Sequence, residues 1–311
     1  MISVVLALYN GQKYILQQLE SLLNQTVKPD EVIICDDCST DNSVELCRKF
    51  IEDNHLDGWR VFENSENVGY CRNFYRALEL SHGDYIFFCD QDDVWDSEKI
   101  EVLVRFLEKN KRFSAIACNY RLIDSNGEES PNLTVPHYNP RFDGTLDEIK
   151  VESLIGHSYI RGCALCIRKE IKEKVCPIEL KDLLGHDWQI VMLCALEGKA
   201  ALLNTALMGY RCHENNASFS TSPSRLLKKR VDGLLQSIEG HSYILSLCNN
   251  TSVKRKIEKF IEFEKKRVKF LTTKNPLTFI SLGFDLKEYK RYYGKNPLKV
   301  YLGDLYYINK K

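Results

Sequence analysis

Residues 86–93 read Ile-Phe-Phe-Cys-Asp-Gln-Asp-Asp, an apolar run that ends on three carboxylates. A short apolar run is typical of a strand buried on both faces of a parallel sheet, and ligands bind at the carboxyl end of such strands. Carboxylates packed there repel one another unless a cation lies between them, and hard cations prefer oxygen ligands. The run therefore predicts a metal site. The alternative is a solvated acidic turn before the helix that follows Trp95, with Asp96 or Ser97 as its N-cap.

Two other predicted strands also end on polar residues. Tyr9-Asn10 follows the strand 3–8, and Asp36-Asp37 follows the strand 31–35. The carboxyl ends of parallel strands share one edge of a sheet, so we expect all three clusters to lie together. The chain has no Gly-x-Gly-x-x-Gly after its first strand and no P-loop motif. If the ligand at this edge of the sheet is a nucleotide, side chains and a metal would therefore hold it in place of a glycine-rich loop.

The order of elements predicts the fold class. Strand patterns at 3–8, 31–35, 59–63 and 85–89 alternate with amphipathic helix patterns. This alternation predicts an α/β fold with a doubly wound, mainly parallel sheet flanked by helices. Beyond Pro223 the pattern changes to basic amphipathic helices. We therefore expect a main domain at 1–220 and a basic, mainly helical C-terminal region at 221–311.

The net charge of zero conceals an asymmetry. From Arg225 onward there are 20 Lys and Arg against 8 Asp and Glu, and the rest of the chain is correspondingly acidic. The acidic region before Arg225 argues against a nucleic-acid ligand. The basic C-terminal region from Arg225 onward suits an anionic membrane leaflet. The alternative is that the two parts attract each other, or that the charges form a solvated helix face. The sequence shows no leader pattern and no apolar run long enough to span a bilayer, which predicts a cytoplasmic protein.

Six short motifs follow one another within residues 1–220. They are Ala7-Leu8-Tyr9-Asn10-Gly11, Asp36-Asp37-Cys38-Ser39-Thr40-Asp41, Asn67-Val68-Gly69 with Arg72-Asn73, Asp90-Gln91-Asp92-Asp93, His186-Asp187-Trp188 and Tyr210-Arg211-Cys212-His213. In this order they resemble the family 2 inverting glycosyltransferases, which have the GT-A fold. The residues of and around the fourth and sixth motifs look most like those of the bacterial rhamnosyltransferase branch.

The resemblance implies a metal-assisted sugar transfer from a nucleotide diphosphate. Asp92 would bind Mn²⁺ or Mg²⁺, which stabilises charge on the leaving group, and His213 would complete the metal or diphosphate shell. Asp90 and Gln91 would contact the ribose and sugar. Histidine is a better ligand for Mn²⁺ than for Mg²⁺. The resemblance leaves the role of Asp93 undecided, and capping of the next helix is one option.

The same resemblance assigns the catalytic base. Asp187 would take the proton of the acceptor hydroxyl, and attack from the face opposite the leaving group would invert the anomeric centre. The alternative for Asp187 is a helix cap. His186, Trp95 and Trp188 are the candidate acceptor contacts, because an indole can stack on the apolar face of a sugar.

Donor contacts are expected from the first strand ends. Leu8 and Tyr9 would flank the base, Asp37 would accept hydrogen bonds from base or ribose, and Arg72 would neutralise phosphate or orient Asp37. The branch favours a dTDP-rhamnose or UDP-sugar donor and a glycan acceptor carried on a lipid, in bacterial surface polysaccharide synthesis. The basic C-terminal region would then contact the cytoplasmic face of the inner membrane.

Two other functions are compatible with parts of this pattern. A sugar-phosphate nucleotidyltransferase also combines a doubly wound sheet with Asp-bound metal, but it normally has a glycine- and Lys/Arg-rich loop after the first strand, which this chain lacks. A non-catalytic nucleotide-sugar-binding scaffold would keep the fold without turnover. The presence of Asp92, Asp187 and His213 together argues against such a scaffold.

Overall fold

A computed structural model describes residues 1–130, 132–135, 138–176, 184–213, 227–293 and 296–309. The chain divides into two compact units. The sheet unit comprises Met1–Thr134, Asn139–Ile149 and Ile160–Asn216, and the helical unit comprises Val135–Tyr138, Lys150–Tyr159 and Ala217–Lys311.

The sheet unit is built on one mixed sheet. Its strands are β1 (Ile2–Leu8), β2 (Glu31–Asp36), β3 (Trp59–Glu63), β4 (Tyr85–Asp90), β5 (Val94–Trp95), β6 (Ala115–Ile123), β7 (Leu146–Glu148), β8 (Leu165–Arg168) and β9 (Ala200–Arg211). Their order in the sheet is β3-β2-β1-β4-β8-β6-β9-β5, and β7 pairs with β9. Strands β1 to β4 pair in parallel, as do β6 and β9, whereas β8 is antiparallel to both of its neighbours. This confirms the predicted mainly parallel α/β sheet flanked by helices.

The register of the parallel strands brings the polar clusters to one edge. Leu8 of β1 pairs with Asp36 of β2, and Ala7 pairs with Asp90 of β4. Strands β1 and β2 are buried almost throughout, because their apolar residues face helices on both sides of the sheet. The three strand ends therefore lie side by side, as their sequence predicts.

Some of the helices flank the sheet within the sheet unit, and the others make up the helical unit. They are α1 (Ile15–Leu23), α2 (Ser43–Asp53), α3 (Tyr70–Leu80), α4 (Lys99–Lys109), α5 (Val151–Leu154), α6 (Lys169–Val175), α7 (His186–Leu196), α8 (Leu227–Leu247), α9 (Thr251–Thr273), α10 (Pro276–Gly283), α11 (Leu286–Tyr293) and α12 (Pro297–Asn309).

The helical unit has an apolar core to which α9 contributes more than α8. Leu234 of α8 and Ile257, Phe260 and Leu271 of α9 are buried. In the part of the chain that the structure describes, every helix is too short or too polar to cross a bilayer.

Candidate active site

The turn after β4 is held by the end of β9. Asp93 is fully buried, and its Oδ1 accepts the backbone N–H of Arg211 at 3.0 Å. His213 Nε2 lies 2.8 Å from Asp92 Oδ2, and both side chains are largely shielded from solvent. Helix α4 begins at Lys99 with Glu98 as N-cap, whose side chain makes no capping hydrogen bond, and the first-turn N–H of Ile100 donates to Gln25 Oε1 at 3.1 Å. The proposed capping roles of Asp93, Asp96 and Ser97 are therefore wrong.

Burial and mutual repulsion act together on the acidic side chains of this turn. Burial, together with the charges of Asp92 and Asp187, raises the pKa of the Asp90 carboxyl to about 7. Burial and the charges of Asp92 and Asp90 raise the pKa of Asp93 well above its usual range. Asp93 Oδ2 is buried without a hydrogen-bond partner among the described residues. Because Asp187 and Asp92 both act on Asp90, the fourth and fifth sequence motifs meet at one site.

Arg211 is a site residue to which the sequence patterns assign no role. Its buried guanidinium donates from Nε to the carbonyl of Asp92 at 2.6 Å and from Nη1 to the carbonyl of Asp124 at 3.0 Å. The guanidinium also lies 4.7 Å from the centre of the Tyr14 ring, and that ring stacks on His213 at 4.9 Å. Arg211 thus positions both members of the Asp92–His213 pair.

Asp187 lies in the first turn of α7, where the helix dipole favours a carboxylate. Its Oδ1 accepts the N–H of Trp188 at 2.7 Å, and the residue is half-buried. A Cβ atom on Gly185 would lie 2.8 Å from Asp187 Oδ1, and one on Gly162 would lie 2.6 Å from His186 Nε2. The two glycines therefore leave the space in which this turn of the helix packs.

His186 is not open to an acceptor in this structure. Its ring is buried and stacks on Phe74 at 4.1 Å, and both ring nitrogens lack hydrogen-bond partners among the described residues. Burial lowers the pKa of His186, which keeps the imidazole neutral. The ring acts as packing beneath Asp187, in place of the expected acceptor contact.

Arg161 is a second site residue that the sequence patterns leave without a role. Burial opposes its charge, but Tyr120, Tyr210 and Asp187 keep the pKa of its guanidinium above the ordinary value. The same guanidinium lowers the pKa of Asp90. It is therefore a cation close to both carboxylates. The sequence signal for this role was the position of Arg161 directly before the apolar run 162–167, because a charged residue is rarely buried unless it is paired.

Asp37 is a scaffold residue in this structure. Its Oδ1 accepts from Asn64 Nδ2 and Val68 N, and its Oδ2 accepts from Gly69 N, all at 2.8 Å. Only 2% of the residue is exposed. The carboxylate thus fixes the turn before α3 instead of presenting its oxygens to a base or ribose.

Gln91 and Leu8 also hold the strand ends together. The Gln91 side chain accepts from Tyr9 N at 2.8 Å and donates to Tyr9 O at 3.0 Å. Leu8 is fully buried, and its carbonyl accepts from Asp37 N at 2.8 Å. By contrast, the side chains of Tyr9 and Arg72 are exposed at the same edge of the sheet. Of the residues expected to contact the donor, these two have accessible side chains.

The two candidate acceptor tryptophans differ in exposure. Trp95 is buried in β5, and Lys99 Nζ lies 3.5 Å from the centre of its indole ring. Trp188 follows Asp187 on α7 and is half-buried. A sugar could reach only the second indole, so we leave Trp95 out of the proposed acceptor site.

The side chains at this edge of the sheet offer ligand atoms that fit a divalent cation. Asp92 and His213 supply a carboxylate oxygen and an imidazole nitrogen already within 2.8 Å of each other. Asp90, Asp93 and Cys163 also place potential ligand atoms within 4.8 Å of one another. However, burial raises the pKa of the Cys163 thiol, and a protonated thiol is a poor ligand for a hard cation. Asp92 and His213 are therefore the better pair.

The sequence matches Glycosyl transferase family 2 over residues 3–173, more than half of the chain. The chain belongs to this family, and it is a glycosyltransferase. The match covers β1 to β8 and the acidic turn after β4, which sets the nucleotidyltransferase alternative aside.

Three known proteins show the extent of the similarity. The chain is 28% identical to the dTDP-rhamnosyl transferase RfbG of Shigella flexneri over 228 residues, which is 68% of this chain and 72% of RfbG. It is 35% identical over 120 residues to the Escherichia coli UDP-Glc:α-D-GlcNAc-diphosphoundecaprenol β-1,3-glucosyltransferase WfaP, covering 39% of this chain and 46% of WfaP. The crystal structure of S. aureus TarS 1–349 with UDP-GlcNAc has a TM-score of 0.62 at 19% identity, covering 97% of this chain and 81% of that one. The last similarity supports the GT-A fold.

Proposed function

We propose that this chain is a metal-dependent, inverting glycosyltransferase that uses a dTDP-rhamnose or UDP-sugar donor. The observation that carries the proposal is the convergence of Asp90, Asp92 and Asp187 at the edge where β1, β2 and β4 end. Asp92 and His213 would hold Mn²⁺ or Mg²⁺, which would neutralise charge on the departing diphosphate.

The remaining side chains have separate proposed roles. Asp187, in the first turn of α7, accepts the proton of the acceptor hydroxyl. Tyr9 and Arg72 are open for contact with the donor, and Trp188 for contact with the acceptor. Asp37, Gln91 and Leu8 act indirectly by holding the strand ends in register.

We further propose a lipid-linked glycan acceptor in bacterial surface polysaccharide synthesis, with the protein at the cytoplasmic face of the inner membrane. RfbG is a dTDP-rhamnosyl transferase, and WfaP is named for an acceptor linked to diphosphoundecaprenol, which supports this choice. The excess of basic residues after Arg225 is compatible with an anionic leaflet.

The test begins with thermal stabilisation by a panel of nucleotide sugars, with and without Mn²⁺. The stabilising donor is then incubated with lipid-linked glycan acceptors, and the anomeric configuration of the product is determined by NMR. The proposal predicts Mn²⁺-dependent stabilisation by a dTDP- or UDP-sugar and inversion at the anomeric carbon. Retention would contradict the single-base mechanism, and binding without turnover on any acceptor or water would favour the scaffold.

A further inference from the structure

The helical unit has an exposed apolar face on two neighbouring helices. Most large apolar side chains of the unit are buried, but those on the outer sides of α10 and α12 are open to solvent. Phe284, directly after α10, is 87% exposed, and Leu277 is 74% exposed. The apolar face consists of Leu277, Ile280, Phe284, Leu298, Leu302 and Tyr306.

The spacing of these residues places them on one side of each helix. Leu277, Ile280 and Phe284 follow each other at intervals of three and four, and the three residues of α12 are four apart. On the inner sides, the Phe279 ring stacks on Tyr301 at 4.2 Å, and Tyr301 Oη donates to the Phe279 carbonyl at 3.0 Å. The two helices are therefore packed through other residues, and the apolar face is not their mutual contact.

The charges around the apolar face are basic. Lys274, Lys287, Lys290 and Lys299 are exposed and form no ion pair among the described residues. The acidic residues between 274 and 309 all form ion pairs. Asp285 pairs with Lys266 at 2.9 Å, Glu288 with Lys259 at 3.0 Å and with Arg291, and buried Asp304 with Arg230 and Arg267.

An apolar helix face with free lysines beside it fits the surface of an anionic bilayer. Such helices lie in the interface plane with the apolar side among the headgroups and acyl chains, while lysines attract acidic lipids. A second copy of the chain is a poorer occupant. A twofold contact would bring the four lysines of one copy toward the same four of the other.

We propose that the face formed by α10 and α12 docks on anionic phospholipid and anchors the protein peripherally. This proposal rests on the proposed function, since a lipid-linked acceptor gives a reason for the anchor. The charge distribution of the sequence assigned membrane contact to the basic C-terminal region as a whole, whereas this proposal assigns it to α10 and α12. Leu234 of α8 and Ile257, Phe260 and Leu271 of α9 are buried, whereas the face of the short helices α10 and α12 carries most of the exposed large apolar side chains of the unit.

The test compares vesicle binding of three full-length proteins. The wild type, the double variant Ile280→Asp/Phe284→Asp and the control Leu235→Asp are sedimented with phosphatidylglycerol/phosphatidylcholine vesicles and with phosphatidylcholine vesicles. Leu235 is exposed on α8 of the same unit and is not one of the six residues of the apolar face. We expect binding to the anionic vesicles, a loss of about tenfold or more in the double variant and no change in the control. Both substituted side chains are exposed, so the fold is expected to persist, which circular dichroism checks.

Two outcomes would overturn the proposal. One is equal vesicle binding by all three proteins or none by the wild type. The other is a wild-type dimer that the double variant converts to a monomer without any vesicle binding, which would assign the face to a second copy. Donor hydrolysis in solution separates this proposal from the proposed function. The double variant should hydrolyse donor at the wild-type rate, whereas failure of the wild type to turn over any donor would count against the function and not against docking.

Discussion

Two strand ends of the sheet unit have the same sequence pattern but different chemistry. Strand β2 ends on Asp36-Asp37, and β4 ends on Asp90 followed by Asp92 and Asp93. Three donors satisfy the Asp37 carboxylate, at 2.8 Å each. At the end of β4, burial and the neighbouring carboxylates instead raise the pKa of Asp90 to about 7 and that of Asp93 above its usual range. A carboxylate that accepts from several fixed donors stabilises a loop, whereas carboxylates clustered in a buried turn are suited to binding a cation.

The largest expected effect follows from replacing Asp187, the proposed catalytic base beside the acids of β4. Asp187→Asn keeps the size of the side chain but cannot take a proton, so turnover should fall on the order of 10²- to 10⁴-fold while donor binding persists. Nucleotide release at saturating donor and acceptor measures this effect. Asp53→Asn, an exposed carboxylate on α2, is the control and should leave turnover unchanged. Wild-type turnover in Asp187→Asn would remove Asp187 from the mechanism.

The next effect concerns the predicted cation site. Asp92→Asn removes a charged ligand, and turnover should fall about 100-fold, with more Mn²⁺ needed for half-maximal rate. A Mn²⁺ titration of the rate checks both expectations. If the variant and the wild type respond to Mn²⁺ identically, the assignment of the metal to the Asp92–His213 pair is wrong.

Replacing the satisfied acid should affect stability more than chemistry. Asp37→Asn loses a charged acceptor and turns an amide N–H toward buried donors, which should reduce the free energy of unfolding by about 2–3 kcal/mol. Urea unfolding followed by tryptophan fluorescence measures it, because Trp59, Trp95 and Trp188 all lie in the sheet unit. Asp53→Asn again serves as control. A fully stable variant with lost donor binding would return Asp37 to a ligand role.

The smallest effect tests the turn that Asp37 holds. Gly69 has a φ of +84°, and a Cβ there would have open space, so only the backbone conformation requires glycine. Gly69→Ala should destabilise by about 1 kcal/mol. Gly233→Ala, at an open position within α8, should be neutral or slightly stabilising. Melting curves from circular dichroism compare the two, and equal shifts would argue against strain at Gly69.

Much of the fold was predictable because local patterns determine it. The apolar runs of β1, β2 and β4 end where the polar residues that follow them begin. Roles set by distant partners were not predictable. The partners of Asp37 come from the turn at 67–69, and the burial of Trp95 follows from the pairing of β5 with β9. No spacing in the sequence encodes these contacts.

The central claim is that the acids after β4, and not those after β2, bind the cation. Crystals of the protein grown with Mn²⁺ and a nucleoside diphosphate allow the metal to be located by its anomalous scattering. We predict a peak within about 2.0–2.3 Å of an Asp92 carboxylate oxygen, with His213 beside it. A peak at Asp36 or Asp37, or bound nucleotide without any peak near Asp92, would contradict the account.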